Sequence, residues 1–351
     1  MVDRFENNKK QEYNENSNNN LKRVMIMQIK NENQFLIIGF LVLALFMVPM
    51  IANNNVQAEA TKIKIQTPPI PAALPLLWIE ETGQMEDLVD LDINLSPDHQ
   101  RALTLINKNQ IDMMMTGVNV GAKAYNKGMN LEMLNVNTWA IDYLLTNNFK
   151  AENWNDLKGK TLSLPLKGGP LDFLARYFLN KNGLDPEKDV NIVYRPLPNG
   201  ARYFMTGKVD SILLPEPLVT VNLLKNENAV LSMDIQKEWA KYNDGDQRIP
   251  FVGLFVSKEF AQNNPQKTRV LNGLYIKGLE WVNSNPEKAA ELGAKNFNLP
   301  KPVLQKSFTR INLNYYSYRE TKKLTENYFS QILEMYPELL GGKMPDENFY
   351  N

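Results

Sequence analysis

The sequence contains no cysteine and a single histidine, His99. The absence of cysteine excludes disulfides, zinc–thiolate sites, iron–sulfur clusters, a cysteine nucleophile and a lipid-modified cysteine. A single histidine also excludes catalysis or metal binding through two histidines of one chain. We therefore expect neither a metal site nor a cofactor, and the two absences favour binding over catalysis.

The chain also lacks an excess of either charge, because 39 Lys and Arg residues balance 39 Asp and Glu residues. That balance argues against a nucleic-acid binder and against an acidic solvating tail. Hydrophobic residues make up 43% of the sequence, which is enough for a packed core. The length of 351 residues allows about two domains of ordinary size.

The N-terminal part contains an uncharged apolar run over residues 35–52. Basic residues precede the run, and Ala58-Glu59-Ala60 follows it, which together are typical of a secretory signal peptide. The alternative is an uncleaved anchor helix over 35–52, since about 18 apolar residues is near the lower limit for spanning a bilayer. Pro49 favours cleavage. In either case we expect residues 1–60 to be a leader and the protein to be exported.

From residue 61 onward, strand-like and helix-like segments alternate, which indicates parallel sheets with helices on both faces. The patterns predict strands over residues 62–67, 91–95, 111–116, 161–165, 190–194, 209–214 and 251–257. They predict helices over residues 74–82, 98–108, 171–180, 200–205, 266–283, 286–297 and 319–336. Residues 307–313 fit either a helical turn or a short strand. The element order repeats around two buried strands, which favours two similar α/β lobes over one large sheet.

A specific set of motifs lies within residues 156–219. It comprises DLKGK before a strand and a Gly-rich turn, NGLDPEKDV, and GKVD followed by an apolar run and Pro-Glu-Pro. In this combination and order, the chain resembles the extracytoplasmic solute-binding proteins of ABC importers, in the nitrate, sulfonate, taurine and thiamine-precursor (NMT1-like) group. The resemblance spans roughly residues 62–298. The sequence departs from the pattern in its long Asn- and Lys-rich leader and in lacking a lipid-anchoring cysteine.

The resemblance implies an α/β protein with the two-lobed periplasmic-binding-protein fold (type 2). Each lobe would be a mostly parallel sheet flanked by helices, with two crossover strands between the lobes and the ligand in the cleft. Mapped onto this chain, lobe one is 61–147 plus 249–351, and lobe two is 148–248. The crossovers fall near residues 144–146 and 250–253.

Ligands of open parallel sheets lie beyond the carboxyl ends of the strands, and four loops of the chain qualify. The candidate contacts in these loops are Ile70, Pro71 and Ala72; Thr116, Gly117, Val118 and Asn119; Lys167, Gly168, Gly169 and Pro170; and Glu216. Small residues allow close backbone approach, and helix N-termini favour a negatively charged group. The alternative for every loop is a purely structural turn, and for Glu216 it is a brace at the hinge.

Three further residues are candidates from their position. Trp139 lies near the predicted crossover and could stack on a flat ligand, although a core role is the alternative. Arg195 could reach the cleft from the end of its strand. His99 begins a helix, and a surface position is the alternative to a site role.

The function implied by the resemblance is capture of a small organic ligand, anionic or aromatic, and its delivery to a membrane permease with its ATPase. We expect no catalytic residue, no nucleic acid, a monomer, and a membrane tether only through residues 35–52. One alternative is an enzyme on the same fold, of the menaquinone-pathway or pyrimidine-synthase type. The other is an envelope sensor or docking domain.

Overall fold

The computed structural model describes residues 61–84 and 89–351, which belong to one compact unit, Ala60–Asn351. The predicted leader over residues 1–60, with its signal peptide or anchor helix over 35–52, lies outside the described residues. Within the described ranges, no helix is long and apolar enough to cross a membrane.

Strands and helices alternate over the first two thirds of this unit, and helices dominate the last third. The strands are β1 (Thr61–Thr67), β2 (Val89–Leu95), β3 (Met113–Gly117), β4 (Leu131–Ala140), β5 (Asp142–Asn147), β6 (Thr161–Leu164), β7 (Asn191–Tyr194), β8 (Ser211–Pro215), β9 (Ala229–Asp234), β10 (Val252–Ser257) and β11 (Asn312–Leu313). The helices are α1 (Leu74–Thr82), α2 (His99–Asn107), α3 (Val118–Asn126), α4 (Pro170–Lys181), α5 (Leu197–Met205), α6 (Leu218–Lys225), α7 (Ile235–Ala240), α8 (Lys258–Asn263), α9 (Pro265–Ser284), α10 (Pro286–Phe297), α11 (Lys301–Phe308) and α12 (Tyr318–Met335).

The strands form two separate sheets. The first has the order β11-β4-β10-β3-β1-β2, and the second has the order β7-β6-β8-β5-β9. In the first sheet β1 pairs in parallel with β2 and β3, whereas β10 is antiparallel to both β3 and β4. In the second, β6 pairs in parallel with β7 and β8, and β5 is antiparallel to β8 and β9. The predicted fold class, an α/β protein with two sheets flanked by helices, is confirmed. The sheets are mixed rather than mostly parallel, because β10, β4 and β11 of the first and β5 and β9 of the second pair antiparallel.

The chain passes from the first sheet to the second at one residue, Ile141, between β4 and β5. Residues 142–147, which the sequence assigned to lobe one, pair with β8 and β9 of the second sheet. The return path runs beside the outgoing strand, because the amides of Ile249 and Phe251 donate to the carbonyls of Trp139 and Thr138 at 2.9 and 3.0 Å. The division into two lobes stays a prediction.

Local signals explain most helix boundaries. Helix α1 ends at Gly83, whose left-handed φ of 62° is the usual helix C-cap. Helices α9 and α10 both begin at a proline that follows an asparagine, as predicted, because proline suits the first helical position. Residues 307–313, which fitted either a helical turn or a short strand, contain the end of α11 and the two-residue strand β11.

The core of the first sheet continues into the C-terminal helices. Helix α9 packs on α1, where a Cβ on Gly278 would lie 2.7 Å from Pro75 Cβ, so glycine permits the close approach. Trp78 and Trp281 stack at 5.8 Å beside this contact. The C-terminal helices therefore pack against α1 and stabilise the first βα loop, which precedes α1.

Candidate functional site

The second and third candidate loops are in direct contact, although they follow strands of different sheets. A Cβ on Gly117 would lie 2.6 Å from Pro170 Cγ, so only glycine fits at this approach. Asn119 Nδ2 donates a hydrogen bond to the Gly168 carbonyl at 3.3 Å. The structure therefore brings residues 116–119 and 167–170 together, which the sequence could not show.

The third loop is held by a carboxylate that the sequence did not single out, Asp172. It lies in the first turn of α4, where its Oδ2 accepts from the Gly168 amide at 2.7 Å. Its Oδ1 accepts from Arg176 Nε at 2.8 Å and from the Tyr194 hydroxyl at 2.7 Å. Gly168 has a φ of +78°, which favours glycine, so Asp172 fixes a loop shape that Gly168 makes possible. An acidic residue three positions after Gly169 was the available signal.

The residues of the first loop are mostly enclosed. Pro71 and Ala72 are buried in a short 3₁₀ turn, and Ala72 accepts a hydrogen bond from Tyr275 at 2.8 Å. Ile70 is partly exposed. Of the predicted contacts in this loop, Ile70 therefore offers side-chain surface, whereas Ala72 is held by the helix behind it.

The single histidine lies beside the second loop. His99 Nδ1 is 3.2 Å from Thr116 Oγ1, and Thr116 is buried. Burial lowers the pKa of His99, with the charge of Asp98 opposing it, so the ring is neutral at neutral pH. Val118, a predicted contact two residues after Thr116, is buried at the start of α3.

Lys167 and Arg195 both lie against aromatic rings at the ends of neighbouring strands. Lys167 is exposed, with its ammonium 6.0 Å from the centre of the Tyr194 ring. The Arg195 guanidinium lies 4.4 Å from the Tyr203 ring, and its Nη1 is buried without a hydrogen-bond partner. These two cations follow β6 and β7 of the second sheet.

Trp139 is fully buried in β4. Its Nε1 donates to the Asn314 carbonyl at 3.0 Å, and its ring meets Tyr316 edge-on at 4.9 Å. These contacts hold the crossover against the C-terminal segment. Contact of Trp139 with a ligand stays a prediction.

Glu216, at the end of β8, has no exposed surface. It accepts hydrogen bonds from the Thr220 amide and hydroxyl, both at 3.0 Å, and forms an ion pair with Arg310. The backbone carbonyl of Arg310 accepts from the Tyr143 hydroxyl at 2.9 Å. Glu216 therefore joins the second sheet to the segment between α11 and β11. Ligand contact and a brace at the hinge both stay predictions for this residue. Nothing local in the sequence pointed to Arg310.

Asp142 is a second buried acid, and the sequence reasoning missed it. It lies one residue after the sheet switch, in the otherwise apolar stretch TWAIDYLL, and is 1% exposed. Its Oδ1 has no hydrogen-bond partner among residues 61–84 and 89–351. Burial raises the pKa of Asp142 well above its usual range. An acid inside an apolar run was the signal that could have identified it.

The described part of the chain contains no group of three or more acidic or histidine side chains that could hold a metal ion. A groove of about 410 Å³ opens elsewhere, among α9, α10, α11 and β11, where Phe308 and Thr309 contribute to its wall. None of the predicted site residues lines this groove. The candidate site is therefore defined by the contacts between residues 116–119 and 167–170, and not by this groove.

Comparison with known proteins identifies a matching family and related proteins. A model described as the NMT1-like family matches residues 57–295, which is more than half of the chain. The Bacillus subtilis (strain 168) protein named "Putative binding protein YtlA" is 21% identical over 329 residues, covering 91% of this chain and 95% of that protein.

Two solved structures share the fold. An ABC transporter protein from Parabacteroides distasonis superposes with a TM-score of 0.70 at 19% identity, covering 83% of this chain and 99% of that one. The periplasmic aliphatic sulphonate binding protein SsuA from Escherichia coli gives a TM-score of 0.63 at 16% identity, covering 78% and 93%. At these identities the likeness concerns the fold.

Proposed function

The chain belongs to the NMT1-like family, and from that premise we propose that it is the solute-binding component of an ABC importer. Its relatives include the binding proteins described above, and these do not favour an enzyme on the same fold or a sensor. The solute would be a small organic molecule, bound between the two sheets and passed on without chemical change.

One observation supports this proposal above the others. Residues 116–119 and 167–170 follow strands of different sheets, yet Gly117 meets Pro170 and Asn119 bonds Gly168. Loops at the carboxyl ends of strands are where open α/β sheets bind ligands. A solute that contacts both loops would favour the state in which they meet.

The energetics of such a mechanism are modest. Shifting a two-lobed protein from about 1% to about 99% closed requires about 5.5 kcal/mol of differential binding. Hydrogen bonds to neutral groups contribute about 0.5–1.5 kcal/mol each, and charged ones about 1.5–3 kcal/mol. A few contacts on each loop would therefore suffice for a hinge movement of this kind.

The remaining parts of the proposal concern place and partners. We propose that the protein is exported and acts in the periplasm or at the outer face of the cytoplasmic membrane. There it would work as a monomer and deliver its solute to a membrane permease coupled to an ATPase. The periplasmic location of the sulphonate-binding relative supports this placement.

The test uses the compact unit, residues 60–351, against a metabolite panel by thermal shift, with hits followed by titration calorimetry. We expect one solute per protein, bound saturably and recovered unchanged by mass spectrometry. Small-angle scattering should show a smaller radius of gyration with solute. Turnover of a hit, or binding with no change in radius, would contradict the mechanism.

A further inference from the structure

In the described part of the chain, Asp142 Oδ1 lacks a hydrogen-bond partner although the backbone of this residue is fully bonded. Gln236 Oε1 accepts from the amides of Ile141 and Asp142 at 3.3 and 3.1 Å, and Gln236 Nε2 donates to the Asp142 carbonyl at 3.1 Å. Only the side chain is left, and its Oδ1 is buried with no donor among the described residues. Burying a polar group without a hydrogen bond is costly, so this oxygen calls for a donor that residues 61–84 and 89–351 do not supply.

Strand pairing places this carboxyl at the edge that carries the candidate loops. Asp142 begins β5 and pairs with Pro215, the last residue of the antiparallel strand β8. The carboxyl end of β8 lies at the same edge as those of β6 and β7, which run parallel to it. Side chains alternate along a strand, so Asp142 shares a face with Leu144, opposite to Tyr143.

Aromatic rings lie on that side of the second sheet, because Leu144 belongs to the same core cluster as Phe173, Trp239 and Tyr328. Burial and then the charge of Asp142 raise the pKa of Tyr328, whose buried hydroxyl has no partner within the described ranges. The Tyr328 ring meets Phe173 at 5.4 Å and Trp239 at 5.8 Å, edge-on in both cases. Phe173 lies in the first turn of α4, directly after the third loop. The carboxyl, the hydroxyl and the rings therefore adjoin the candidate site.

Two further acceptors at the carboxyl edge of the first sheet are also unpaired. Among the described residues, Gln66 Oε1 and Asn119 Oδ1 are buried without donors. Their amide nitrogens donate to carbonyls of Asp98 and Gly168, which fixes which atom of each amide is the oxygen. Arg195 Nη1, on the guanidinium that lies over the Tyr203 ring after β7, is a buried donor with no acceptor in the same ranges. Unpaired acceptors thus dominate, and they call for a ligand that donates.

We propose that Asp142 binds a protonated amine of the imported solute, with the Tyr328 ring and its aromatic neighbours beside that cation. This inference rests on the proposed function and specifies its ligand. An ammonium supplies both the donors and the opposite charge that the buried carboxyl lacks, and aromatic faces attract cations. A sulfonate or nitrate at the same place would face a carboxylate and would offer no donor to the two further unpaired acceptors, Gln66 Oε1 and Asn119 Oδ1. The unpaired Nη1 of Arg195 would pair with an acidic group elsewhere on the solute.

The experiment compares head groups on matched carbon frames. Residues 60–351 are titrated by calorimetry with 2-phenylethylamine, 2-phenylethanol and 2-phenylethanesulfonate, and with putrescine and 1,4-butanediol. We expect at least one amine to bind saturably, with its uncharged or sulfonated counterpart at least 100-fold weaker. Asp142→Asn should weaken the amine at least tenfold. Glu227→Gln, the same charge change at an exposed carboxyl, should leave affinity unchanged.

The outcomes separate this inference from the proposed function. A sulfonate that binds wild type and Asp142→Asn equally well overturns the amine assignment and leaves the binding-protein function standing. An amine that binds Asp142→Asn as tightly as wild type shows that the carboxyl does not hold the amine, which also overturns the assignment. If nothing in this panel or the metabolite panel binds, the proposed function fails and the assignment falls with it.

Discussion

Removing the guanidinium of Arg310 should be among the most damaging single changes in this protein. Glu216 has no exposed surface, whereas the Arg310 side chain is 22% exposed. In Arg310→Met the carboxylate would keep its two hydrogen bonds from Thr220 but lose its counter-charge. Breaking a buried ion pair in this way costs about 3–5 kcal/mol, because an uncompensated charge is left in the interior.

A conservative variant separates charge from geometry. Arg310→Lys keeps the positive charge, but its single ammonium replaces a fork that reaches both Glu216 and the Thr220 hydroxyl. We expect a smaller loss of about 1–2 kcal/mol, roughly one charged hydrogen bond. Arg319→Met serves as the matched control, since Arg319 is exposed, and should change stability by less than about 0.5 kcal/mol.

Urea unfolding of residues 60–351, followed by tryptophan fluorescence at pH 7, measures these losses. Arg310→Met should lose more stability than Arg310→Lys, because only the methionine leaves Glu216 without a counter-charge. A loss below about 1 kcal/mol in Arg310→Met, or equal losses in the two variants, would refute the view that this pair braces the two parts of the fold.

Three further changes test the site. Gly117→Ala puts a methyl 2.6 Å from Pro170 Cγ and should weaken solute binding at least tenfold by calorimetry, whereas Gly273→Ala, with open space around it, should not; equal affinities would refute the loop contact. Asp172→Asn replaces one of the two accepting oxygens by an NH₂ donor and removes the charge that pairs with Arg176, so it should lower the free energy of unfolding by about 1–3 kcal/mol in urea; an unchanged midpoint would contradict this. Asp142→Asn should raise the melting temperature at pH 7 and change it little near pH 4. The raised pKa of Asp142 means that the native state holds this proton longer than the unfolded state, so wild-type stability falls as pH rises above about 4; a calorimetric shift of equal size at both pH values would contradict the argument.

The sequence predicted elements with local signals and missed those defined by distant neighbours. Helix α1 was placed correctly because Gly83 ends it. Strand β4 was not predicted, since it is buried on both faces and carries Asn135 and Asn137 in its interior. Asn135 is paired with Asn272 on α9, 137 residues further along the chain, so no local pattern marks it as a strand residue.

The candidate loops could be named from their place after predicted strands, but their contacts could not. Whether Glu216 meets a ligand or braces the hinge depends on Arg310, which lies 94 residues further along the chain. Asp142 was overlooked because its importance comes from a missing partner, and only packing shows which polar atoms lack one. Sequence patterns therefore locate the edge of a binding site better than they identify its chemistry.

The single residue between β4 and β5 makes Ile141 the shortest connection two sheets could share. Asp142 follows it immediately. A force on its carboxyl is therefore transmitted through a single residue to β4, a ten-residue strand of the other sheet. Recognition of the ligand and movement of one sheet relative to the other would then depend on the same backbone segment. A substitution here that tightens binding should also alter how fast the protein opens, and the two properties could not be tuned separately.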